Sequence, residues 1–280
     1  MSHEIVRTRA GTLAMRCLDA QEVMHPGVGP LVEAQCLYVE QSQLARRLRN
    51  VNAATLVVFD VGMGAASNAL AARATSERAP SGAARLELVS FERDLGALKL
   101  AMTAGDAFGL CGEAAEAAQA IVIHGNHETP RTRWTLIHGD LLNALRSDKV
   151  AQNPADIVFW DPFSPRSNPQ LWTIAAFSAL RAVAKPGCTL FTYSASTAVR
   201  LAMLLAGWAV GVGDSIGDKA ATTVAATSAD DLARPLDRSW LARLSRSDVP
   251  LPTDAPADVV ARASAAPQFS HASESRRSHA

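Results

Sequence analysis

Leu56-Val57-Val58-Phe59-Asp60-Val61-Gly62-Met63-Gly64 is the stretch on which the reading of this chain turns. An apolar, β-branched run ends in an acid and a G-x-G turn, and an Ala-rich helical pattern follows from Ser67. A buried strand ending this way delivers the chain to the carboxyl edge of a sheet. Glycines there let the backbone approach a ligand, and the next helix starts beneath it. The unit predicts a site for a nucleotide-bearing ligand.

The same alternation continues downstream. Strands are predicted at Thr55 to Val61, Leu86 to Glu92, Trp134 to His138, Ile157 to Asp161, Thr189 to Tyr193, Trp208 to Val212 and Ala221 to Ala226. Helices are predicted at Ser67 to Ala79, Leu95 to Ala104, 111 to 120, from Leu141, Leu171 to Ala184 and Thr197 to Ala206. Strands that alternate with helices demand a parallel sheet covered on both faces. The last two strands, joined by a short turn at Asp214 to Asp218, form an antiparallel hairpin at one edge. Upstream, residues 1–50 read as an extension: a hairpin around Ala10-Gly11, a Gly/Pro loop from His25 to Pro30, and a helix from Leu31 to Leu48. Residues 51–230 read as the ligand-binding domain and 231–244 as a short helical segment. From 245 to 280, prolines among Ser, Ala and Asp predict a disordered tail.

The chain has 280 residues, 48% of them apolar, and a formal net charge of zero. A nucleic-acid binder is usually strongly basic, and this chain is not. Arg46, Arg47, Arg49, Arg131 and Arg133 are read as solvated surface. Cys17, Cys36, Cys111 and Cys188 are scattered, with no C-x-x-C pair, and read as buried small side chains in a reducing compartment. No apolar run spans a bilayer and no leader is apparent, so a cytoplasmic protein is expected.

Four acids fall at four successive strand ends: Asp60, Glu92, Asp140 after Gly139, and Asp161. Ligands of wound sheets lie in the crevice outside these ends. An acid after the second of these strands can accept both ribose hydroxyls, and one after the third can accept from an adenine amine. The position of a third dinucleotide-loop glycine is Ser67. An acid at Asp60 repels a pyrophosphate and suits an ammonium. Both points favour S-adenosylmethionine over a dinucleotide.

At this level of detail the chain resembles the methyltransferase domain of the bifunctional bacterial enzymes that finish 5-methylaminomethyl-2-thiouridine at the tRNA wobble position. The family's G-F-G-T-G-L-N loop reads here Gly62-Met63-Gly64-Ala65-Ala66-Ser67-Asn68, and its S-x-E step Ser90-Phe91-Glu92. Its G-D step reads Gly139-Asp140. Its D-G-F-A-P-x-x-N-P-x-x-W block reads Asp161-Pro162-Phe163-Ser164-Pro165-Arg166-Ser167-Asn168-Pro169-Gln170-Leu171-Trp172. Lys185-Pro186-Gly187 and Thr192-Tyr193-Ser194-Ala195 resemble later segments. Two positions depart: the loop's third glycine is Ala66, and Glu22-Val23-Met24-His25-Pro26 replaces D-V-Y-F-S.

The resemblance implies a Rossmann-like, seven-stranded class I methyltransferase sheet, mostly parallel with an antiparallel edge hairpin. It implies S-adenosyl-L-methionine as cofactor, held by Asp60, Gly62, Met63, Gly64, Asn68, Glu92, Arg93, Asp140 and Leu141. Asp161 is the expected catalytic residue. Glu33, Phe163, Pro165, Asn168 and Trp172 are the expected substrate contacts, and no metal is expected. tRNA is the expected partner, with a small amine or planar metabolite as the alternative acceptor. Neither a membrane contact nor a flavin domain in this chain is expected. Aminopropyl transfer on the same scaffold wants several acids for a polyamine, and 161–172 offers only one. A degenerate, non-catalytic binding protein is the remaining alternative. His124-Gly125-Asn126-His127-Glu128 resembles a phosphoesterase metal motif without its partner motifs, and reads as an exposed loop.

Overall fold

The structure is a computed structural model that describes residues 1–8, 10–25, 27–50, 54–215, 221–244 and 251–270. Its centre is an eight-stranded sheet. The strands are β4 (Thr55–Val61), β5 (Arg85–Glu92), β6 (Asn126–Glu128), β7 (Thr132–His138), β8 (Ala155–Trp160), β9 (Ala184–Thr192), β10 (Ala209–Gly213) and β11 (Thr222–Ala226). They lie in the order β10-β11-β9-β8-β4-β5-β7-β6. The five inner strands β9, β8, β4, β5 and β7 are parallel; β11 and β10 form the expected antiparallel edge. The strand order reverses between β4 and β8, which places the crevice at their carboxyl ends.

The eighth strand is a departure from the sequence reading. Asn126–Glu128, expected as loop, pairs antiparallel with β7, His127 opposite Trp134. The pairing gives the edge backbone a partner that a loop would leave to water.

Buried parallel strands send alternate side chains to opposite faces. On one face Val57, Phe59 and Val61 meet Trp160, Phe177 and Leu190; on the other Leu56 and Val58 meet Leu86, Leu88 and Trp134. Asp60 follows the same alternation. It is opposite Ser90 in register and points into the second layer, toward Trp134, not outward from the strand end.

The N-terminal segment is a separate antiparallel sheet of β1 (His3–Arg7), β2 (Leu13–Cys17) and β3 (Glu22–Val23). The helix expected over Leu31 to Leu48 is three pieces: Pro30–Glu33, a π-helical turn Ala34–Glu40 and Leu44–Leu48. Gln43, with φ at +54°, breaks it before the last piece. Arg47 is no solvated surface residue. Its guanidinium donates to Thr189 Oγ1 at 2.7 Å and to the Asp156 carbonyl at 3.2 Å, tying the extension to the sheet. Cys36 and Cys111, expected buried, are exposed.

The expectation of disorder fails over 251–270. Helix Val259–Ser264 and the turn after it put Val259, Ala263 and Phe269 into the main core. Gln268 completes the edge strand: its Oε1 accepts from Val210 N at 2.7 Å and its Nε2 donates to Val210 O at 3.1 Å. Asp254 accepts from Ile174 N and Ala175 N at 3.0 and 2.9 Å, so it caps helix Ile174–Ala182. Apolar side chains spaced onto one face and polar clamps to Val210 and helix Ile174–Ala182 dock this Pro/Ser/Ala-rich segment. The remaining tail, 245–250 and 271–280, and most of the β10–β11 turn, 216–220, lie outside the described residues. Among the described residues no helix is long and apolar enough to cross a membrane.

Candidate active site

A cavity of about 490 Å³ opens at the carboxyl ends of β4, β5, β7 and β8, a size typical of small-ligand sites. Its floor is Val61-Gly62, Phe91-Glu92 and Gly139-Asp140-Leu141. Its far wall is the segment after β8, with Asp161, Pro162, Phe163 and Asn168. Its roof is the N-terminal sheet and the loop behind it, with Gln21 to His25 and Glu33.

Glu92 is fixed before any ligand arrives. One carboxylate oxygen accepts from Arg93 N and Asp94 N at 2.7 and 2.9 Å; the other accepts from Gly64 N at 2.9 Å. Three backbone donors hold the carboxylate plane on the cavity floor. Asp140 caps helix Leu141–Leu145, accepting from Asn143 N at 2.9 Å. It therefore serves the helix and also lines the cavity.

The segment after β8 is clamped from four sides. Asp161 N donates to Val61 O at 2.9 Å, continuing the strand pairing. Tyr193 Oη donates to Pro162 O at 3.0 Å, and Trp172 Nε1 donates to Phe163 O at 2.8 Å. From the roof, Glu22 accepts from both Ser164 N and Ser164 Oγ at 3.0 Å. Gly62 adds a fifth, packing contact. With φ at +79°, it lies so close that a Cβ there would stand 2.6 Å from Asp161 O and 2.8 Å from Pro162 N.

Asp161 is an enclosed acid on the cavity, its side chain 7% exposed. Its Oδ2 accepts from Asn68 Nδ2 at 2.8 Å. Burial pushes its carboxyl up, and His25 pulls it down. Glu33 then raises it, while Asn68 and Tyr38 lower it. Tyr38 is fully buried beside it. Its phenol is raised well above the usual range by burial and by the Asp161 and Glu33 charges, so it stays protonated. Six acids line the cavity (Glu22, Glu33, Glu92, Asp94, Asp140 and Asp161), against Arg93, the Met1 ammonium that pairs with Asp94, and the histidines His3 and His25. The field inside favours a cationic ligand.

Nine of the fifteen candidate residues reach this cavity: Gly62, Glu92, Arg93, Asp140, Leu141, Asp161, Glu33, Phe163 and Asn168. Six do not. Asp60 is wholly buried and accepts from Ser90 Oγ at 2.7 Å, while Ser90 accepts from Trp134 Nε1. Burial pushes Asp60 up to about 7, against the Ser90 hydrogen bond. The strand's two-residue period turns it away from the cavity, so its carboxylate is not placed for the expected ammonium contact. Met63 is buried in the second core layer, and Gly64 supports Glu92 from behind. Asn68 bonds Asp161 instead of the cavity. Trp172 packs edge-on against Trp160, Tyr193 and Phe177, and Pro165 is exposed outside the wall. Ala66, where the resembling family has glycine, holds φ at +66° at the start of helix Ser67–Glu77. An L-residue there costs about 1–2 kcal/mol.

Apart from Glu33, sequence reasoning missed the roof. His25 sits with Nε2 3.7 Å from Asp161 Oδ2 and Nδ1 3.7 Å from Glu33 Oε2. Glu22 and Tyr193 also went unassigned. The Gly/Pro content of His25 to Pro30 signalled a turn but not where the turn folds back.

Residues 91–228 match a family model described as S-adenosyl-L-methionine-dependent methyltransferase. The tRNA 5-methylaminomethyl-2-thiouridine biosynthesis bifunctional protein MnmC of Ralstonia nicotianae is 32% identical over 212 residues, covering 73% of this chain and 32% of that protein. Its counterpart in Aeromonas salmonicida is 30% identical over 203 residues, covering 69% of this chain and 30% of that protein. The chain thus spans about a third of the length of the curated relatives it matches. The crystal structure of MNMC2 from Aquifex aeolicus superposes with a TM-score of 0.71 at 23% identity, covering 94% of this chain and 84% of that one, which shows the fold. The family's match runs from the end of β5 through β11, across the acid-lined crevice at the sheet's switch point, and the chain is an S-adenosyl-L-methionine-dependent methyltransferase.

Proposed function

We propose that the chain transfers the methyl group of S-adenosyl-L-methionine to the nitrogen of an aminomethyl-uridine in tRNA, at the wobble position. The single observation that carries the acceptor is the clamped Asp161 wall, an enclosed acid facing a cavity of acids, joined to similarity with relatives named for methylaminomethyl-2-thiouridine biosynthesis. An amine is the nucleophile such a wall suits.

The residues present fit the cofactor. The Glu92 carboxylate is already in a fixed plane for the two ribose hydroxyls. Asp140 has Oδ1 at the helix cap, which leaves Oδ2 for an adenine amine. Leu141 and Phe91 give the base an apolar bed. Where Gly139 lines the cavity, φ is +136° and a Cβ would meet nothing within 4 Å, so that backbone leaves room. Bound, the cofactor supplies a methyl group on a positively charged sulfur. Asp161 accepts the proton of the incoming ammonium and orients the free amine; Phe163 and Pro162 keep water from the wall; Asn168 fixes the wall's end.

Replacing Glu92 with Gln keeps the side-chain size, removes the charge and turns an amide NH2 toward one of the backbone N–H groups that the carboxylate accepts from. Affinity for S-adenosyl-L-methionine, measured by titration calorimetry, should fall about ten- to hundredfold, the loss of a charged hydrogen bond. An unchanged affinity would remove Glu92 from the ribose.

The acceptor is tested by incubating the protein and labelled cofactor with tRNA carrying unmethylated aminomethyl-uridine, then digesting to nucleosides for mass spectrometry. Methylaminomethyl-uridine should appear. Cofactor binding without any change in the nucleosides would move the assignment to a small amine, the reading that the zero net charge favours.

A further inference from the structure

The roof of the cavity holds a histidine between two enclosed carboxylates. His25 Nε2 stands 3.7 Å from Asp161 Oδ2 and its Nδ1 3.7 Å from Glu33 Oε2, with the Glu33 side chain 4% exposed. All three line the same cavity. Two buried carboxylates close to one another cannot both carry full charge without a cation or a shared proton between them. A neutral imidazole accepts at one ring nitrogen and donates from the other, on opposite sides of one ring.

His25 is also held where a histidine backbone resists going. Its φ is +54°, in the left-handed region. In that conformation the ring lines the cavity, and three residues upstream the Glu22–Ser164 bonds tie the roof to the wall. Backbone strain of this kind clusters where side-chain aim matters. Nothing in the cofactor floor needs this ring: Glu92, Asp140 and Leu141 are on the other side of the cavity, on β5 and after β7.

An amine acceptor enters as an ammonium and leaves as a methylated ammonium, so each turnover releases one proton. We propose that His25 is a positioning residue that acts through Asp161: it takes that proton from Asp161 at Nε2 and passes its own Nδ1 proton to Glu33, returning Asp161 to its basic form. The inference rests on the reading of Asp161 as the group that receives the amine's proton. The balance closes on the protein. Asp161 gains and loses one proton, Glu33 releases the relayed proton to cavity water, and the imidazole, left with its proton on Nε2, exchanges it back to Nδ1 through cavity water before the next turnover. The two 3.7 Å separations are ion-pair distances and shorten to hydrogen bonds by about 0.7 Å each when acceptor enters, as catalytic contacts do.

The groups that face His25 are Asp161 after β8, Glu33 at the end of helix Pro30–Glu33 and, behind them, Tyr38 from the π-helical turn. Tyr193 after β9 and Glu22 on β3 complete the shell. Tyr193 and Tyr38 are both held protonated by burial and by these carboxylates, so neither competes for the proton.

The test uses the full chain and the aminomethyl-uridine tRNA as probe, with kcat and KM measured from pH 6 to 9. Three variants are compared. His25→Asn keeps the left-handed backbone without a titrating ring, His25→Ala leaves space for added imidazole, and Glu33→Gln removes the final acceptor. With the relay, His25→Asn lowers kcat about tenfold or more while KM for tRNA and affinity for S-adenosyl-L-methionine stay within about twofold. The acid limb of kcat moves in both His25→Asn and Glu33→Gln, and imidazole restores His25→Ala in proportion to its free base. Wild-type kcat and pH profile in His25→Asn would overturn the relay. So would loss of cofactor affinity in both His25 variants, because that marks a purely structural ring. A wild-type protein that leaves the tRNA unmethylated overturns the acceptor reading itself, an outcome distinct from an active wild type with indifferent variants.

Discussion

Replacing Asp161 with Asn should lower kcat by about a hundredfold or more while cofactor affinity stays within a few-fold. The substitution is nearly isosteric, and the wall that carries it is held by Tyr193, Trp172, Glu22 and the β4 pairing, none of which uses the Asp161 side chain. What disappears is an ionisable acceptor beside the amine. The pH dependence has a definite sign. Burial raises this carboxyl, and only its ionised form can accept a proton. The acid limb of kcat in the wild type therefore lies above the ordinary carboxylate range, with activity lost as pH falls through it. Stability runs the other way. A carboxyl raised by folding withdraws stability as pH rises from its unfolded value to its folded one. Asparagine carries no such cost, so at neutral pH the variant should melt no lower than the wild type. Calorimetry for affinity, a melting curve and a kcat profile decide the matter; retained wild-type turnover would take Asp161 out of the chemistry.

The residues that could be read from sequence share one property: they belong to the sheet's own periodicity. Buried parallel strands are apolar runs, so β4, β5, β7, β8 and β9 announce themselves, and acids that break those runs at their ends fall on one rim by topology alone. Glu92, Asp140 and Asp161 were legible for that reason. Asp60 shows where the logic needs one more step. It is one residue inside its strand end, and period two sends it into the layer of Ser90 and Trp134. Trp172 and Pro165 lie in a motif that suggested a substrate wall, yet the motif's job is partly internal. Trp172 donates to Phe163 O and packs on Tyr193, holding the wall while facing away from it. What could not be read was long-range docking. No local pattern says that Glu22 will meet Ser164 over 142 residues, or that Val259 and Phe269 will find the core. Those contacts depend on surfaces that exist only once the sheet has formed.

Gly62→Ala should be the most damaging single methyl group in the chain. The glycine follows β4 with φ at +79°, a backbone state that costs an L-residue about 1–2 kcal/mol. Its missing side chain is also where the wall passes. A Cβ would stand 2.6 Å from Asp161 O and 2.8 Å from Pro162 N and Cα, all backbone atoms that no rotamer change can move. Overpacking of a close-packed site adds about 1–3 kcal/mol, which brings the expected loss to about 2–5 kcal/mol, read as a fall in chemical-denaturation midpoint. The chain has two ways to relieve the clash. Pushing the wall outward breaks Asp161 N to Val61 O and moves the Asp161 carboxylate from Asn68. Turning the loop at Gly62 breaks its N–H bond to Phe91 O and drags Gly64 from Glu92. The first relief costs turnover and spares cofactor affinity; the second costs affinity as well. A variant with lost kcat and normal calorimetry would show the wall to be the softer element, and one with both lost would show the loop to be. A variant with wild-type stability and kcat would mean that β4 and the Asp161 wall do not approach as closely as this site requires.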